Sequence, residues 1–250
     1  MGSGCPECGA DEDVFSDPSL YFHLLGLLVL SIWVGIAVAR DRFWLLERDP
    51  TPPSSTDWPP VTAVIPARNE AESLPEALHS LWSQQYPGGL RVIVVDDQSE
   101  DGTAEAAREA AGAFPDAPLT VLRGAPVPPG WAGKVWAMHQ GLTRGLAADD
   151  PARYVLFCDA DVRHGPDSLR ELVARAEAGG LDLASLMVRL RCRTWPERAL
   201  IPAFVWFFRM LYPFRRVNSP RDPLAGAAGG AMLLRREALA RTSSLERIRD

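Results

Sequence analysis

The chain has 250 residues, is 47% hydrophobic and 23% charged, and carries a formal net charge of −6. That is a globular composition, long enough for one large core or two small ones. The acidic balance argues against a nucleic-acid binder, which needs a basic stripe for the phosphate backbone. Four cysteines (Cys5, Cys8, Cys158, Cys192) are too few to build a fold of this size on disulfides.

Residues 1–19 form an acidic tail with Glu7, Asp11, Glu12, Asp13 and Asp17 and no Lys or Arg. Cys5-Pro-Glu-Cys8 has zinc or redox spacing, but no second pair completes a site, and the tail reads as disordered. Residues 20–39, LYFHLLGLLVLSIWVGIAVA, hold no formal charge and match the length of a transmembrane helix. Arg40, Arg42 and Arg48 follow it. The positive-inside rule therefore places a single helix in the inner or plasma membrane, with the C-terminal body in the cytoplasm. Two plainer accounts exist. A cleaved signal peptide ending at Ala37-Val38-Ala39 conflicts with the length of the run and its acidic leading flank. A buried soluble helix conflicts with a run that is apolar all round. Residues 40–60, with DPTPPSSTDWPP, read as a Pro/Ser-rich linker.

From residue 61 to 250 strands and helices alternate. VTAVIP (61–66), LRVIVVD (90–96), LTVLR (119–123), YVLFC (154–158) and LASLMVRLR (183–191) read as strands. Between them, Leu74, Ala77, Leu78, Leu81 and Trp82 mark a helix face, with Pro75 tolerable in the first turn. The Ala-rich stretch from Thr103 is helical. Val135, Met138, Leu142 and Leu146 mark another face, and Leu169, Leu172, Val173 and Ala176 a fourth. Fully apolar strands in this alternation predict an α/β domain, a mostly parallel sheet with helices on both faces.

Ligands of such sheets bind beyond the carboxyl ends of the strands. Arg68-Asn69-Glu70 follows the first strand, Asp96, Asp97 and Asp101 the second, and Asp159 and Asp161 the YVLFC strand. Helix capping accounts for Asp101 and extends to Asp97. It accounts poorly for Asp159 and Asp161, because the next helix starts later, at Pro166-Asp167. Hard carboxylate ligands suit Mg²⁺ or Mn²⁺, and magnesium is usually held by one or two carboxylates plus substrate phosphates. The Gly-x-Gly-x-x-Gly fingerprint is absent after the first strand, and PPGWAGKV fails as a P-loop at Pro128 and Val135.

In this order and spacing, VIPARNE, VVDDQSEDGT and CDADV resemble the inverting nucleotide-sugar glycosyltransferases of family 2, from about Val61 to Arg236. GWAGKVWAMHQG, AGAAGGAMLLRREAL and the N-terminal apolar helix are most similar to the membrane-anchored branch, which includes hopanoid-associated glycosyltransferases and ceramide glucosyltransferases. The resemblance implies the GT-A fold. It also implies metal-dependent transfer, with inversion, from a nucleotide-diphosphate donor, a UDP-sugar first, to a lipid-type acceptor of polyprenyl or hopanoid kind. Pro66, Arg68 and Glu70 would line the nucleotide pocket, and Asp97 would contact the base, taken as uracil. Asp159 and Asp161 would form the family's Asp-x-Asp, Asp161 as the direct metal ligand and Asp159 nearer the ribose and diphosphate. Lys134 would face the diphosphate; it is the single lysine of the chain, and an ordinary surface lysine is the plain alternative. Gly226, Gly229 and Gly230 would border the acceptor, where glycine permits close backbone approach; a mobile turn is the plain alternative.

An inverting transfer needs a general base. In the family this is an Asp of an acidic pair beyond the Gly-rich strand. Here Glu246 and Asp250 are the last carboxylates, and SLERIRD reads as a helix start. The base is therefore expected beyond Asp250, and the chain is expected to be an N-terminal fragment without the family's later membrane helices. LIPAFVWFFRMLYPF (200–214) is dense in aromatics and reads either as an interfacial helix facing a lipid acceptor or as a covered helix. His164 is a candidate ligand close to the Asp-x-Asp. His79 and His139 read as surface or satisfied groups, and Cys158 and Cys192 as small core residues. A non-catalytic nucleotide-sugar-binding or scaffold protein is the competing reading. A nucleotidyltransferase is a further one, against which PARNEAES lacks the expected glycine-rich loop.

Overall fold

The computed structural model describes residues 18–40, 42–45, 57–115, 118–146 and 150–248. The Cys5–Cys8 pair and most of the expected linker lie outside them. The elements run α1 (Pro18–Ala39), β1 (Val61–Ala67), α2 (Leu74–Trp82), β2 (Leu90–Asp96), α3 (Thr103–Ala111), β3 (Leu119–Arg123), α4 (Gly133–Gln140) and β4 (Tyr154–Cys158). Then follow α5 (Ser168–Gly179), β5 (Leu183–Ser185), α6 (Trp195–Leu211), α7 (Phe214–Val217), β6 (Ala231–Arg235), α8 (Arg236–Thr242) and α9 (Ser244–Arg247). The chain divides into two compact units, Met1–Arg48 with Arg191–Gly226, and Asp49–Leu190 with Ala227–Asp250.

The second unit holds one six-stranded sheet in the order β3-β2-β1-β4-β6-β5. β1 pairs in parallel with β2 and β4, and β2 with β3. β6 runs antiparallel to β4 and β5. Side chains alternate across a strand, so each apolar strand feeds both faces. Val61, Ala63, Ile65 and Ala67 join Leu74, Leu78 and Leu81 of α2 and Leu169, Leu172 and Val173 of α5 in one core. Val64, Ile93, Val95, Val155 and Phe157 join Ala137, Met138 and Leu239 in the other. The mostly parallel, doubly covered sheet expected from the sequence is what forms.

Two elements differ from the expectation. The strand expected at 183–191 pairs only over Leu183–Ser185. It is an edge strand, and β6, its only partner, ends at Ala231, which accepts a last hydrogen bond from the Leu186 amide. The helix expected through Leu146 ends at Gln140 and continues as one π-helical turn, Gly141–Gly145. Both bounding glycines press on the sheet. A Cβ at Gly141 would stand 2.3 Å from Val64 Cγ1, and one at Gly145 2.9 Å from two carbons of Ile93.

The first unit is helical. α1 has 22 residues, with no charged residue in its sequence and none buried. At about 1.5 Å per residue it is ~33 Å long, enough for a hydrocarbon core of ~30 Å. Its Trp33 ring lies 5.7 Å from the ring of Trp206 in α6, and the buried Phe43 ring lies 4.8 Å from the same indole. The Arg209 guanidinium donates to the Leu45 carbonyl. Cys192, expected in the core, is exposed, because residues 186–194 leave the sheet; Cys158 is buried as expected.

The glycine contacts yield a prediction. Alanine is a better helix former than glycine by about 1 kcal/mol. Overpacking a sheet centre costs about 1–3 kcal/mol. Val64 is fully buried and backed by strands on both sides, so overpacking wins. Gly141→Ala is expected to lower unfolding free energy by ~1–2 kcal/mol in urea titration. Unchanged stability would mean the turn can shift off Val64.

Candidate active site

The parallel register sets the site. Ala67 at the end of β1 stands beside Asp96 at the end of β2, and Asp96 beside Arg123 at the end of β3. The Asp97 amide donates to the Ala67 carbonyl at 2.8 Å, so the two chains leave the sheet together. Beyond that point their loops are joined by four hydrogen bonds. The Asn69 amide donates to Ser99 Oγ at 3.0 Å, and the Glu100 amide to Asn69 Oδ1 at 2.9 Å. The Glu70 amide donates to Thr103 Oγ1 at 2.9 Å, and the Ala71 amide to Asp101 Oδ2 at 3.0 Å. Asn69 and Gln98 sit in the left-handed region, φ 55° and 58°. Asparagine tolerates that conformation better than glutamine does. The Thr103 hydroxyl and the Ala71 amide hold the Asp101 carboxyl below the usual carboxylate range. Asp101 thus anchors the start of α3 as expected, and it also ties that start to the β1 loop.

Asp97 is not a helix cap. It is 5% exposed, and its Oδ1 is buried with no hydrogen-bond partner among the described residues. Two glycines wall it. A Cβ on Gly124 would approach the Asp96 carbonyl at 3.0 Å and Asp97 Cα at 3.2 Å, and one on Gly133 would lie 3.5 Å from Asp97 Oδ2. The Gly124 segment is pinned from behind, by the Ala125 amide on Gln140 Oε1 at 2.7 Å and Trp136 Nε1 on the Ala125 carbonyl at 3.0 Å. Trp136 is stacked with His139, ring centroids 5.5 Å apart, and Trp131 closes the cluster.

Lys134, in the first turn of α4, places Nζ 2.5 Å from Asp159 Oδ1. The Asp159 amide donates to the Gly230 carbonyl at 3.3 Å. Asp161 is exposed two residues on. Half-exposed pairs of this kind contribute little to stability, on the order of 0–1 kcal/mol, so the Lys134–Asp159 contact is better read as a charge arrangement than as a structural strut. Of the nucleotide-pocket candidates, Pro66 is half-buried in β1, Arg68 is exposed, and the Glu70 carboxylate accepts from its neighbour Ser73 Oγ. Gly230 is crowded, since a Cβ there would meet Val188 Cγ2 at 2.4 Å, while Gly229 faces open space. Gly226 belongs to the first unit, where its nearest side chain is Tyr212.

Burial keeps the Cys158 thiol protonated, pushed up to about 12, with the Asp159 carboxylate adding to the effect. His164 is half-buried, its amide on Ser80 Oγ at 2.9 Å, and lines a groove with Pro75, Glu76, His79 and Arg163. Among the described residues, no three His, Cys, Asp or Glu side chains stand close enough to enclose a metal. The donor set at the rim is two carboxylates of one loop. That suits a divalent cation taking its other ligands from a bound diphosphate, and does not suit a closed metal cage.

With this geometry in view, the family follows. Residues 62–242 match the family model described as glycosyl transferase family 2. The chain belongs to glycosyl transferase family 2. It is 29% identical over 137 residues to the undecaprenyl-phosphate 4-deoxy-4-formamido-L-arabinose transferase of Proteus mirabilis, covering 54% of this chain and 39% of that one. It is 32% identical over 154 residues to an N-acetylglucosaminyltransferase of Mesorhizobium japonicum, covering 60% and 34%. The chain thus spans well under half the length of these relatives. A mannosyltransferase of Pyrobaculum calidifontis, solved in complex with GDP-Man and Mn²⁺, superposes over 89% of this chain and 56% of that one, with TM-score 0.59 and 26% identity. The GT-A-type fold implied by the motifs is the fold observed.

Two outcomes are expected. Thr103→Val keeps shape but leaves the half-buried Glu70 amide without its acceptor, which costs about 1 kcal/mol. Amides of residues 68–73 should then exchange faster with deuterium while β1 and β4 stay protected; uniform exchange would mean the loops hold without this bond. Burial lowers the His164 pKa from 6.5. The folded state resists a proton that the unfolded state accepts, so stability is lost as pH falls below 6.5. Thermal midpoints taken from pH 7 to pH 5 should fall more steeply for the wild type than for His164→Gln; parallel curves would show that His164 is not the titrating group.

Proposed function

We propose that this chain carries the donor site of a membrane-anchored glycosyltransferase. In this reading it moves a sugar from a nucleotide-diphosphate donor to a lipid-type acceptor, of polyprenyl or hopanoid kind, with inversion. The observation that carries it is the buried, unpartnered Oδ1 of Asp97 on a rim where Asp159, Asp161 and Lys134 also gather. A buried acceptor without a donor costs about 1–3 kcal/mol, and a nucleobase N–H is a donor of the required kind. Uracil offers one such N–H between two carbonyls, which makes a UDP-sugar the first donor to test. In this reading Pro66, Arg68 and Glu70, at the end of β1 and in the loop after it, line the nucleotide side of the same site.

Asp161 and Asp159 are the residues that would hold Mg²⁺ or Mn²⁺. A divalent cation there would offset the charge that develops on the departing diphosphate. Lys134, paired with Asp159 before the donor arrives, would supply a positive charge to the same oxygens. α1 is the anchor, with Arg40 and Arg42 on its cytoplasmic flank. A relative that acts on undecaprenyl phosphate supports a lipid-type acceptor.

The test is calorimetric titration of the full chain in lipid nanodiscs with UDP and with GDP, each with and without Mn²⁺. Metal-dependent UDP binding is expected, weakened at least tenfold in Asp161→Asn and in Asp97→Asn. Binding of GDP alone would keep the site and change the donor. Binding of neither would overturn the donor site and leave a scaffold protein as the better reading.

A further inference from the structure

The charge of this chain is unevenly placed. The chain carries −6, yet the segment 191–226 holds seven arginines against two carboxylates, Glu197 and Asp222. Asp222 is already engaged by Arg216 at 2.7 Å. Glu197 is taken up by the capping box of α6, where its Oε2 accepts from the Thr194 amide at 2.8 Å and the Arg193 amide at 2.7 Å. Arg191, Arg193 and Arg198 are exposed around the start of this helix. That is the end where the helix dipole is already positive, so they add repulsion that the chain itself offsets with one carboxylate.

The helix between the arginines has no buried residue. Leu200, Phe204, Phe207 and Leu211 fall at i, i+4, i+7 and i+11, one face of a helix, and are 39–68% exposed. The opposite side supplies Trp206 to Trp33 and Phe43. Trp33 lies seven residues before Arg40, about 10 Å along α1 at 1.5 Å per residue. So α6 is fixed at the basic-flanked end of the one helix, among the described residues, that is long and apolar enough to cross a bilayer.

We propose that α6 lies in the cytoplasmic interface of the membrane, its Leu200–Phe204–Phe207–Leu211 stripe in the acyl boundary and the flanking arginines on anionic phospholipid headgroups. The occupant is a bilayer surface because the apolar stripe, the exposed arginines around its start and the attachment to α1 belong to one compact unit. An amphipathic helix with basic flanks binds by its apolar area and by attraction to anionic lipid together. The consequence is a dependence on lipid charge that a transmembrane helix alone would not give. This inference rests on α1 being a membrane anchor.

The test is hydrogen exchange on the full chain in nanodiscs of phosphatidylcholine alone and of phosphatidylcholine with phosphatidylglycerol. Peptides spanning Trp195–Leu211 should exchange at least about tenfold more slowly in the anionic discs. Replacing Arg191, Arg193 and Arg198 by Gln should remove the difference between the discs, with β1 and β4 equally protected in both proteins as the control for folding. Equal α6 exchange in both discs, with α1 protected, would overturn the proposal and leave the anchor intact. Rapid exchange of α1 in both would overturn the anchor, and the proposal with it. Protection of α6 that follows protein concentration instead of lipid charge would place a second copy of the chain on this face and likewise overturn the proposal.

Discussion

A carboxylate held in the sheet rim with one oxygen out of reach of any donor is the constraint around which this site is built. Asp97 sits one residue past β2, where its amide is taken by β1 and its side chain is turned between Gly124 and Gly133. A Cβ at Gly124 would crowd backbone atoms of Asp96 and Asp97 at 3.0 and 3.2 Å, so a larger residue there would press on this carboxylate. An unpartnered buried oxygen is destabilising by about 1–3 kcal/mol, and it persists only when the surroundings leave it no alternative. Gln140 and Trp136 fix the Gly124–Ala125 segment, and four hydrogen bonds fix the loops after β1 and β2 to each other.

The parallel pairing of β1 with β2 makes that stitching possible. Parallel neighbours end on the same side, so their following loops emerge side by side and can exchange hydrogen bonds across some thirty residues of sequence. The same geometry brings β4 to the rim on the other side of β1, and Asp159 with it. The antiparallel β6 then returns its N-terminal end to that point, where Gly230 accepts from the Asp159 amide. The aspartates are thus positioned by backbone pairing in the sheet more than by side-chain contacts.

This explains which parts were legible in the sequence. Strands were readable from unbroken apolar runs, and residues just past a strand end must lie on the rim whatever the loops do. Arg68, Asp97 and Asp159 directly follow apolar runs in the sequence, with Asp161 two residues further, and the structure ends β1, β2 and β4 just before them. Thr103, Asn69 and Ser99 were not singled out as site residues, because a hydroxyl or amide partner thirty positions away leaves no local periodicity. Gly124 and Gly133 were invisible for a related reason: a glycine that makes room for a distant side chain looks like any loop glycine. The strand expected at 183–191 was over-long because an apolar alternation says nothing about where the partner strand ends. The π turn after Gln140 escaped because Leu142 and Leu146 keep a helical period while the glycines beside them set the contact with the sheet.

The two units carry opposite electrostatic problems. One gathers carboxylates on a sheet rim, with Lys134 and Arg68 beside them, and the other holds a segment, 191–226, with seven arginines around an apolar helix and two carboxylates already engaged. Like charges concentrated in this way repel, and a chain selected for stability alone would intersperse them. Each cluster carries an excess of the sign opposite to a proposed ligand: carboxylates for a divalent cation at Asp159 and Asp161, arginines for anionic headgroups at Arg191, Arg193 and Arg198. A diphosphate would bring further negative charge to a rim of carboxylates, which a divalent cation would offset, whereas the arginines would meet their counter-charge directly. Binding at the rim should accordingly respond to metal, and seating of α6 to the charge of the bilayer. Two separate dependences of that kind are what segregated charge predicts and what a uniformly mixed surface would not produce.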